Sequence, residues 1–219
     1  MIVAEPRASA PLVRVSRAAV VANVRAALRE HPSAAVDVRR DACGHGARLV
    51  ADAALEAGAA YVLSDADSAA DRHGRDVLAL EAVFGLEGRG TPALALTGPV
   101  LSIKPLFAGE GVSYGYLHRA ERDTRVALVS GGYAHGVARA IGGRAMVRIG
   151  GAELPIIGRV AMDVCVVDLE DADVAPGDRA VFLGPDHPDA AATWARATGL
   201  TELELVAAVG LHTAREVTA

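Results

Sequence analysis

The first ninety residues alternate between short apolar runs and amphipathic stretches. Residues 11–16, PLVRVS, alternate apolar and polar positions as a strand does, and Ser16 stands where a helix N-cap is expected. The next stretch, residues 17–31, places Val20, Val24 and Leu28 on one helical face. Further strands are expected over 34–39, 59–64 and 75–84, with helices over 47–58 and 65–74 between them. This order predicts a parallel sheet with right-handed crossovers, built from about three βα units.

The pattern changes after the glycine-rich segment GLEGRGTP, residues 85–92. From residue 93 the chain reads as short strands divided by Gly, Pro and Asp turns, which is typical of an antiparallel β-domain. The strands are expected over 93–98, 101–109, 124–130, 144–151, 153–162, 165–169 and 178–184, followed by helices over 187–199 and 201–210. We therefore predict an α/β plus β fold, with a first domain over residues 1–88 and a second over residues 89–219.

Composition narrows the possible partners. A net charge of −5 and an aromatic content of 4% argue against nucleic acid as a partner. No apolar run approaches the roughly 20 residues of a membrane helix, and the first residues lack the layout of a signal peptide, so a cytoplasmic location without membrane contact is expected. The two cysteines, Cys43 and Cys165, have no metal-ligand spacing. They are expected to be reduced thiols, and no metal is expected.

Lysine is almost absent from the chain. Among its 22 basic residues the one lysine is Lys104, which falls in a predicted strand of the β-domain. Any mechanism that needs an amine nucleophile therefore has a single side chain available to it.

Six motifs occur in an order that resembles the alanine racemase family. They are RRDACGHGA (39–47), ALEAGAAYV (54–62), AGEGVSYG (108–115), GYAHGVARA (132–140), IGRVAMDVCVVDL (157–169) and GDRAVFLG (177–184). The resemblance covers nearly the whole chain and implies an N-terminal (β/α) barrel that binds pyridoxal phosphate. It also implies a C-terminal β-domain that reaches the partner subunit's site in a head-to-tail dimer.

The chain departs from this family at the cofactor. The family's loop reads KADAYGHG, and its lysine and tyrosine are replaced here by Arg39 and Cys43. A guanidinium stays protonated and its nitrogens are poorly nucleophilic, so Arg39 cannot form the cofactor imine. The family's barrel has eight βα units, whereas only about three precede the β-domain here. We therefore expect a truncated barrel segment and no pyridoxal phosphate or other cofactor.

The β-domain keeps its share of the family's site. By resemblance, Tyr114 matches a general base, Tyr133 lines the entrance, and Met162 and Asp163 meet the substrate carboxylate. His135 stands where the family has an aspartate.

A phenol is a poor base at pH 7 unless a cation lies beside it, and Arg39 or Arg40 of a partner subunit could supply that cation. Tyr114 is therefore either an acid/base group or a scaffold residue at a dimer interface. Cys43 and His45 are further candidates for catalysis; the alternatives are a packed thiol and a loop histidine that hydrogen-bonds backbone.

Four hypotheses about function follow. The first is a pyridoxal-independent homodimer with a small-molecule site at the subunit and domain interface, used for binding or tyrosine-based acid/base chemistry. The second is a non-catalytic partner of a full-length racemase. The third is a true pyridoxal-dependent alanine racemase, and the fourth is a remnant without function.

Overall fold

The computed structural model describes residues 9–68, 71 and 76–218 of the chain. The helices are α1 (Arg17–Glu30), α2 (Ala47–Ala57), α3 (Leu80–Phe84), α4 (Ala190–Thr198) and α5 (Glu202–His212). The strands are β1 (Leu12–Ser16), β2 (Ala35–Asp37), β3 (Val62–Leu63), β4 (Val77–Leu78), β5 (Leu94–Leu106), β6 (Gly111–Val112), β7 (His118–Arg119), β8 (Thr124–Ser130), β9 (Met146–Ile149), β10 (Ala152–Ile157), β11 (Val164–Asp168), β12 (Arg179–Leu183) and β13 (Ala214–Thr218).

Six strands close into an antiparallel barrel, which confirms the predicted β-domain. The order is β5, β8, β11, β10, β9, β12, and β12 pairs again with β5. The two strands expected over 93–98 and 101–109 are one bent strand, β5, whose pairing with β8 shifts register between Val100 and Ser102. A register shift of this kind bends a strand and allows the sheet to close.

The first strand lies in the sheet of the β-domain, so the expectation that it opens the parallel sheet is wrong. β1 pairs antiparallel with β5 on one side and parallel with β13 on the other. An ion pair of 2.6 Å between Arg14 and Glu216 adds to the second pairing. β13 was not expected from the sequence, because all but one of its residues are exposed and its pattern carries no periodic apolar signal.

A separate three-stranded parallel sheet has the order β3, β2, β4. β2 is central, β3 follows it in the chain, and β4 lies on its opposite side. The strand expected over 75–84 is wrong in length, because β4 covers Val77–Leu78 and residues 80–84 form α3. Half of the residues of the helix expected over 65–74 lie outside the described residues, and residues 65–67 form a turn and a bend. Helix α1 is capped by Ser16, whose Oγ accepts the N–H of Ala19, and α2 ends at Gly58, both as predicted.

One buried apolar cluster joins the two sheets. It includes Val20 of α1, Val36 of β2, Phe84 of α3, Ile149 of the barrel and Trp194 of α4. The linker between the sheets, residues 85–92, is anchored by Asn23, which is 4% exposed. Its amide accepts the N–H of Thr91 at 2.9 Å and donates to the carbonyls of Thr91 and Val83.

Candidate functional site

The segment that resembles the family's cofactor loop, residues 37–46, forms a tight loop between β2 and α2; we refer to it as the Arg39 loop. Four consecutive residues in it are left-handed: Arg40, Asp41, Ala42 and Cys43 have φ angles of 55°, 55°, 50° and 58°. A left-handed conformation costs an L-residue about 1–2 kcal/mol. The surrounding contacts must therefore hold this turn in place.

Arg39 is bound within its own loop. Its Nε donates to Oδ1 of Asp37 at 2.8 Å, and a second guanidinium nitrogen pairs with Oδ2 of the same carboxylate. The hydrogen bond to Asp37 raises the pKa of Arg39 further above its ordinary value. The structure thus places a fixed guanidinium and carboxylate pair where the family motif carries lysine.

Asp41 connects the Arg39 loop to the far end of the chain. Its Oδ1 accepts the N–H of Ala47 at 2.7 Å, at the start of α2, and its Oδ2 accepts from Arg215 at 2.8 Å. Burial raises the pKa of the Asp41 carboxyl, but the hydrogen bonds from Arg215 and Ala47 outweigh burial, so the pKa is lower than usual. Arg215 also donates to the carbonyl of Gly44 at 2.6 Å. It lies 174 residues from Asp41, and nothing in the sequence pattern signalled this contact.

Two glycines let the Arg39 loop cross helix α5 closely. A Cβ at Gly44 would lie 2.4 Å from the backbone of Gly210, and a Cβ at Gly210 would lie 2.4 Å from the carbonyl oxygen of Cys43. Any larger residue at either position would force the loop and the helix apart.

Three candidates of this loop remain. The side chain of Arg40 is exposed, and its backbone N–H donates to the carboxylate of Asp65. Cys43 and His45 lie in unlike surroundings. Burial, assisted by Asp37 and Glu81, raises the pKa of the Cys43 thiol, which favours the neutral thiol over a nucleophilic thiolate. Both cysteines are free, as predicted. His45 is fully buried, and its Nε2 lies 2.9 Å from the carbonyl of Val206 on α5. Burial lowers the pKa of His45 to about 4, so its ring is neutral at pH 7.

The β-domain candidates lie on three loops that connect strands of the β-domain. Tyr114 is at the tip of the β6–β7 hairpin and is 66% exposed. The hairpin is joined to the segment 158–163 by Ser113, whose Oγ donates to the carbonyl of Arg159 at 2.6 Å. The 133–135 turn is joined to the same segment, because Tyr133 N–H donates to the carbonyl of Ala161 at 3.0 Å.

These joined loops expose several large apolar side chains. We call the following five residues the loop patch: Tyr114, Tyr116, Leu117, Tyr133 and Met162. Asp163, another candidate, is exposed beside Met162 on the same segment. An exposed group of large apolar side chains is typical of an interaction surface.

His135 and two arginines lie on these same loops. His135 accepts the N–H of Gly132 at its Nδ1, and burial, opposed by Asp163, lowers its pKa. Arg139 lies over the ring of Tyr133, with its guanidinium carbon 5.8 Å from the ring centre, and Arg159 lies against Gly115, next to Tyr114. Sequence reasoning missed both arginines, since no local pattern indicates which cation reaches which ring.

The candidates therefore fall into two groups, and each group contacts the C-terminal end of helix α5 or the residue that follows it. The Arg39 loop packs on the Gly210 end of α5, and Thr213 donates to the carbonyl of His135 at 2.7 Å. Among the described residues, no three His, Cys, Asp or Glu side chains come close enough to hold a metal ion. None of the described helices combines the length and the hydrophobicity that crossing a membrane requires.

Comparison with known proteins identifies the family. The model of the family "Alanine racemase, C-terminal domain" matches residues 93–217, which is more than half of the chain. The alanine racemase of Thermobifida fusca is 39% identical over 167 residues, which cover 74% of this chain and 45% of that protein. The chain thus spans less than half the length of this relative.

Solved structures agree on the fold. The alanine racemase of Streptomyces lavendulae superposes with a TM-score of 0.83 at 21% identity, covering 96% of this chain and 97% of that one. The alanine racemase of Bartonella henselae, solved with covalently bound pyridoxal phosphate, superposes with a TM-score of 0.76 at 17% identity, covering 97% and 100%. Likeness at these identities concerns the fold alone, whereas the match of the family model identifies the relationship. The chain belongs to the alanine racemase family.

Proposed function

We propose that this protein is a homodimeric, pyridoxal-independent member of its family that binds a small anionic molecule. The site lies where the loop patch of one copy meets the Arg39 loop of the other. The observation that carries the proposal is the bidentate pairing of Arg39 with Asp37, at the position where the family motif has its lysine.

The residues of the Arg39 loop do not fit pyridoxal phosphate. A covalent link to its aldehyde needs an amine that can lose its proton, and the guanidinium of Arg39 cannot. Its pairing with Asp37 favours the charged form further. Lys104 is exposed on β5 of the barrel, and the family's tyrosine at the phosphate is replaced by Cys43. The covalently bound cofactor of the Bartonella henselae relative is therefore not carried over to this chain.

The strand order of the parallel sheet supports a barrel that lacks the strands between its second and its last. In a (β/α)₈ barrel the first strand lies between the second and the last. Here β2 lies between β3, which follows it, and β4, which leads through the linker into the β-domain. We infer that β2, β3 and β4 hold the places of the first, second and last barrel strands.

The charges of the two groups favour an anionic ligand. Arg139 and Arg159 lie beside the tyrosines of the loop patch, and the exposed side chain of Arg40 lies on the Arg39 loop. Guanidinium groups bind carboxylates and phosphates through paired hydrogen bonds. A small carboxylate is the ligand class that this arrangement suits best. A tyrosine beside such a cation could also act as an acid or base.

The decisive test of cofactor independence is the absorbance spectrum of the purified protein with and without added pyridoxal phosphate. We expect no band beyond that of the free cofactor. After borohydride treatment the mass of the chain should be unchanged. A stable yellow protein, or a mass increase after reduction, would overturn the proposal.

The dimer can be tested through the loop patch. Leu117→Glu places a charge on the patch, where Leu117 is 67% exposed, and light scattering should then report a monomer. The matched control is Leu55→Glu on α2, where Leu55 is 57% exposed outside the patch, and this variant should remain a dimer. A wild-type monomer would contradict the proposal.

Acid/base chemistry is the narrower version of the proposal. Once a bound carboxylate is found, Tyr114→Phe should preserve its affinity and abolish any turnover. If turnover persists, Tyr114 is a scaffold residue at the interface and the protein's role is binding.

A second function is favoured by the exposed loop patch, which suits a related subunit as well as an identical one. In this reading the protein is a non-catalytic partner of a full-length racemase. Mixing the tagged chain with the alanine racemase of Thermobifida fusca and measuring the mass of the complex tests this. Recovery of the self-associated chain alone would remove this candidate.

A further inference from the structure

A large cavity lies outside the loop patch. Its volume is about 480 Å³, and it is enclosed by β1, β5, the linker, α4 and α5. This is roughly three times the 150 Å³ of an apolar protein cavity that binds benzene. It also falls within the range of about 300–1,000 Å³ that is usual for small-molecule sites.

The inner wall of the cavity is apolar. Leu94 and Leu96 of β5 line it on one side, Phe84 covers it from α3, and Val206 and Val209 face it from α5. All five are buried, with exposures between 0% and 7%. A wall of this kind favours a flat aromatic or aliphatic body, which gains from leaving water.

A buried histidine closes the inner end of the cavity. The Nε2 of His45 faces the carbonyl oxygen of Val206, which can only accept, so the neutral ring carries its proton on Nε2. Nδ1 is then an acceptor, and it has no hydrogen-bond partner among the described residues. The side chain is 0% exposed, so a ligand in the cavity meets the apolar wall and does not reach Nδ1.

The mouth of the cavity is acidic. The lining includes the carboxylates of Glu87, Asp189 and Glu202, together with His187, and no lysine or arginine. Glu202 accepts the N–H of Glu87 at 2.8 Å, which fixes one carboxylate at the rim. Arg89 lies 3.6 Å from Glu87 without lining the cavity, and it offsets part of this charge. The remaining charge at the mouth favours a cation.

We propose that this cavity is a binding site for a small arylalkyl amine. The aromatic body lies against the apolar wall, and the ammonium group lies among the carboxylates at the mouth. The cavity shares no residue with the loop patch, and His45 is the one residue of the Arg39 loop that lines it.

Two matched probes test this assignment by titration calorimetry on the full chain at pH 7. Tryptamine carries the aromatic ring and the ammonium group, and indole-3-propionate replaces the ammonium group by a carboxylate. We expect tryptamine to bind, and indole-3-propionate to bind about tenfold or more weakly, as expected for the loss of one charge contact. Equal affinity for both, or no binding of tryptamine, would overturn the proposal.

Variants locate the bound probe. Glu202→Gln keeps an oxygen for the N–H of Glu87 but removes a charge, and it should weaken tryptamine several-fold. The matched control is Glu204→Gln on the same helix, where glutamine can preserve the capping box with Thr201, and its affinity should equal that of the wild type. Ala192→Phe, at a half-buried lining position of α4, should fill the cavity and abolish binding, with thermal unfolding to confirm that the variant folds.

Discussion

The barrel and the three-stranded sheet differ in how their strands are completed. In the barrel, six strands pair on both sides and close a ring. In the smaller sheet, β3 and β4 have two residues each, and among the described residues each pairs with β2 alone. A closed ring satisfies its own backbone hydrogen bonds, whereas a short open sheet depends on what packs against it.

The two regions also differ in how far they match the family. The barrel keeps the family's motifs together with the geometry that joins its loops. The Arg39 loop carries arginine and cysteine where the family motif has lysine and tyrosine, yet it is fixed in place by Asp65, Arg215 and helix α5. The contacts that hold a loop can therefore persist when the residues it presents have changed. Four measurements test this comparison, in decreasing order of their effect on stability.

The largest effect is expected inside the barrel. Phe182 on β12 is fully buried, and its ring lies against Gly98 and Gly131. Phe182→Ala should lower the free energy of unfolding by about 3–5 kcal/mol in a urea titration, through lost burial and the cavity left behind. Phe107→Ala, at a position 54% exposed, is the control and should change it by no more than about 0.5 kcal/mol. Equal effects of the two would refute a self-sufficient barrel core.

A second effect should come from acid. Burial lowers the pKa of His45 to about 4, below its ordinary value near 6.5. The unfolded chain therefore binds a proton at higher pH than the folded one. The contribution of this difference to the free energy of unfolding is full above pH 6.5 and is lost as the pH falls towards 4. The separation of the two pKa values corresponds to about 3 kcal/mol.

Urea titrations at pH 7, 6, 5 and 4 check this effect. His45→Gln should remove most of this pH dependence, because glutamine does not titrate. His135→Gln should remove less, since His135 is only half-buried, although its pKa is also lowered. Parallel pH profiles for the wild type and His45→Gln would count against a buried neutral His45.

The linker between the sheets should show a moderate effect. Asn23→Ala removes three hydrogen bonds and leaves backbone groups of Thr91 and Val83 without their partner. We expect a loss of about 2 kcal/mol and faster hydrogen exchange at the Thr91 amide. Ser102→Ala, at an exposed position of β5, should leave both quantities unchanged. Unaltered exchange at Thr91 would mean that the linker is held by other contacts.

The smallest effect should be stabilising. Arg40 has φ 55° and an exposed side chain, so Arg40→Gly relieves backbone strain at little cost in contacts. We expect a gain of about 1 kcal/mol in the free energy of unfolding. Arg48→Gly, in the ordinary helical backbone of α2, should instead lose about 1 kcal/mol. A loss in both variants would show that the Arg40 side chain contributes to the loop.

The sequence predicted the elements that carry a local signal. Ser16 caps α1 and Gly58 ends α2 because both act within a few residues of the backbone they serve. The strands of the barrel were predicted from alternation and from their turns. The family motifs indicated which loops carry candidate site residues. The structure joins the hairpin of Tyr114 and the turn of Tyr133 to the segment 158–163.

Features that depend on distant partners were missed. The pairing of β13 with β1 and the contact of Arg215 with Asp41 connect opposite ends of the sequence, and no local periodicity encodes them. The left-handed turn after Arg39 contains no glycine among its four residues, so the usual indication of such a backbone was absent. The strand expected over 75–84 was wrong because its apolar run suits a buried helix as well.

The parallel pairing of β1 with β13 has a mechanical consequence. Leu12 is opposite Ala214 and Ser16 is opposite Thr218, so the N-terminal end of β1 and the C-terminal end of β13 point in opposite directions. Tension applied between these two ends would slide the strands along each other and load every bond of the ladder at once, instead of opening the bonds one by one. In a single-molecule pulling experiment this clamp should resist until it ruptures in one abrupt event.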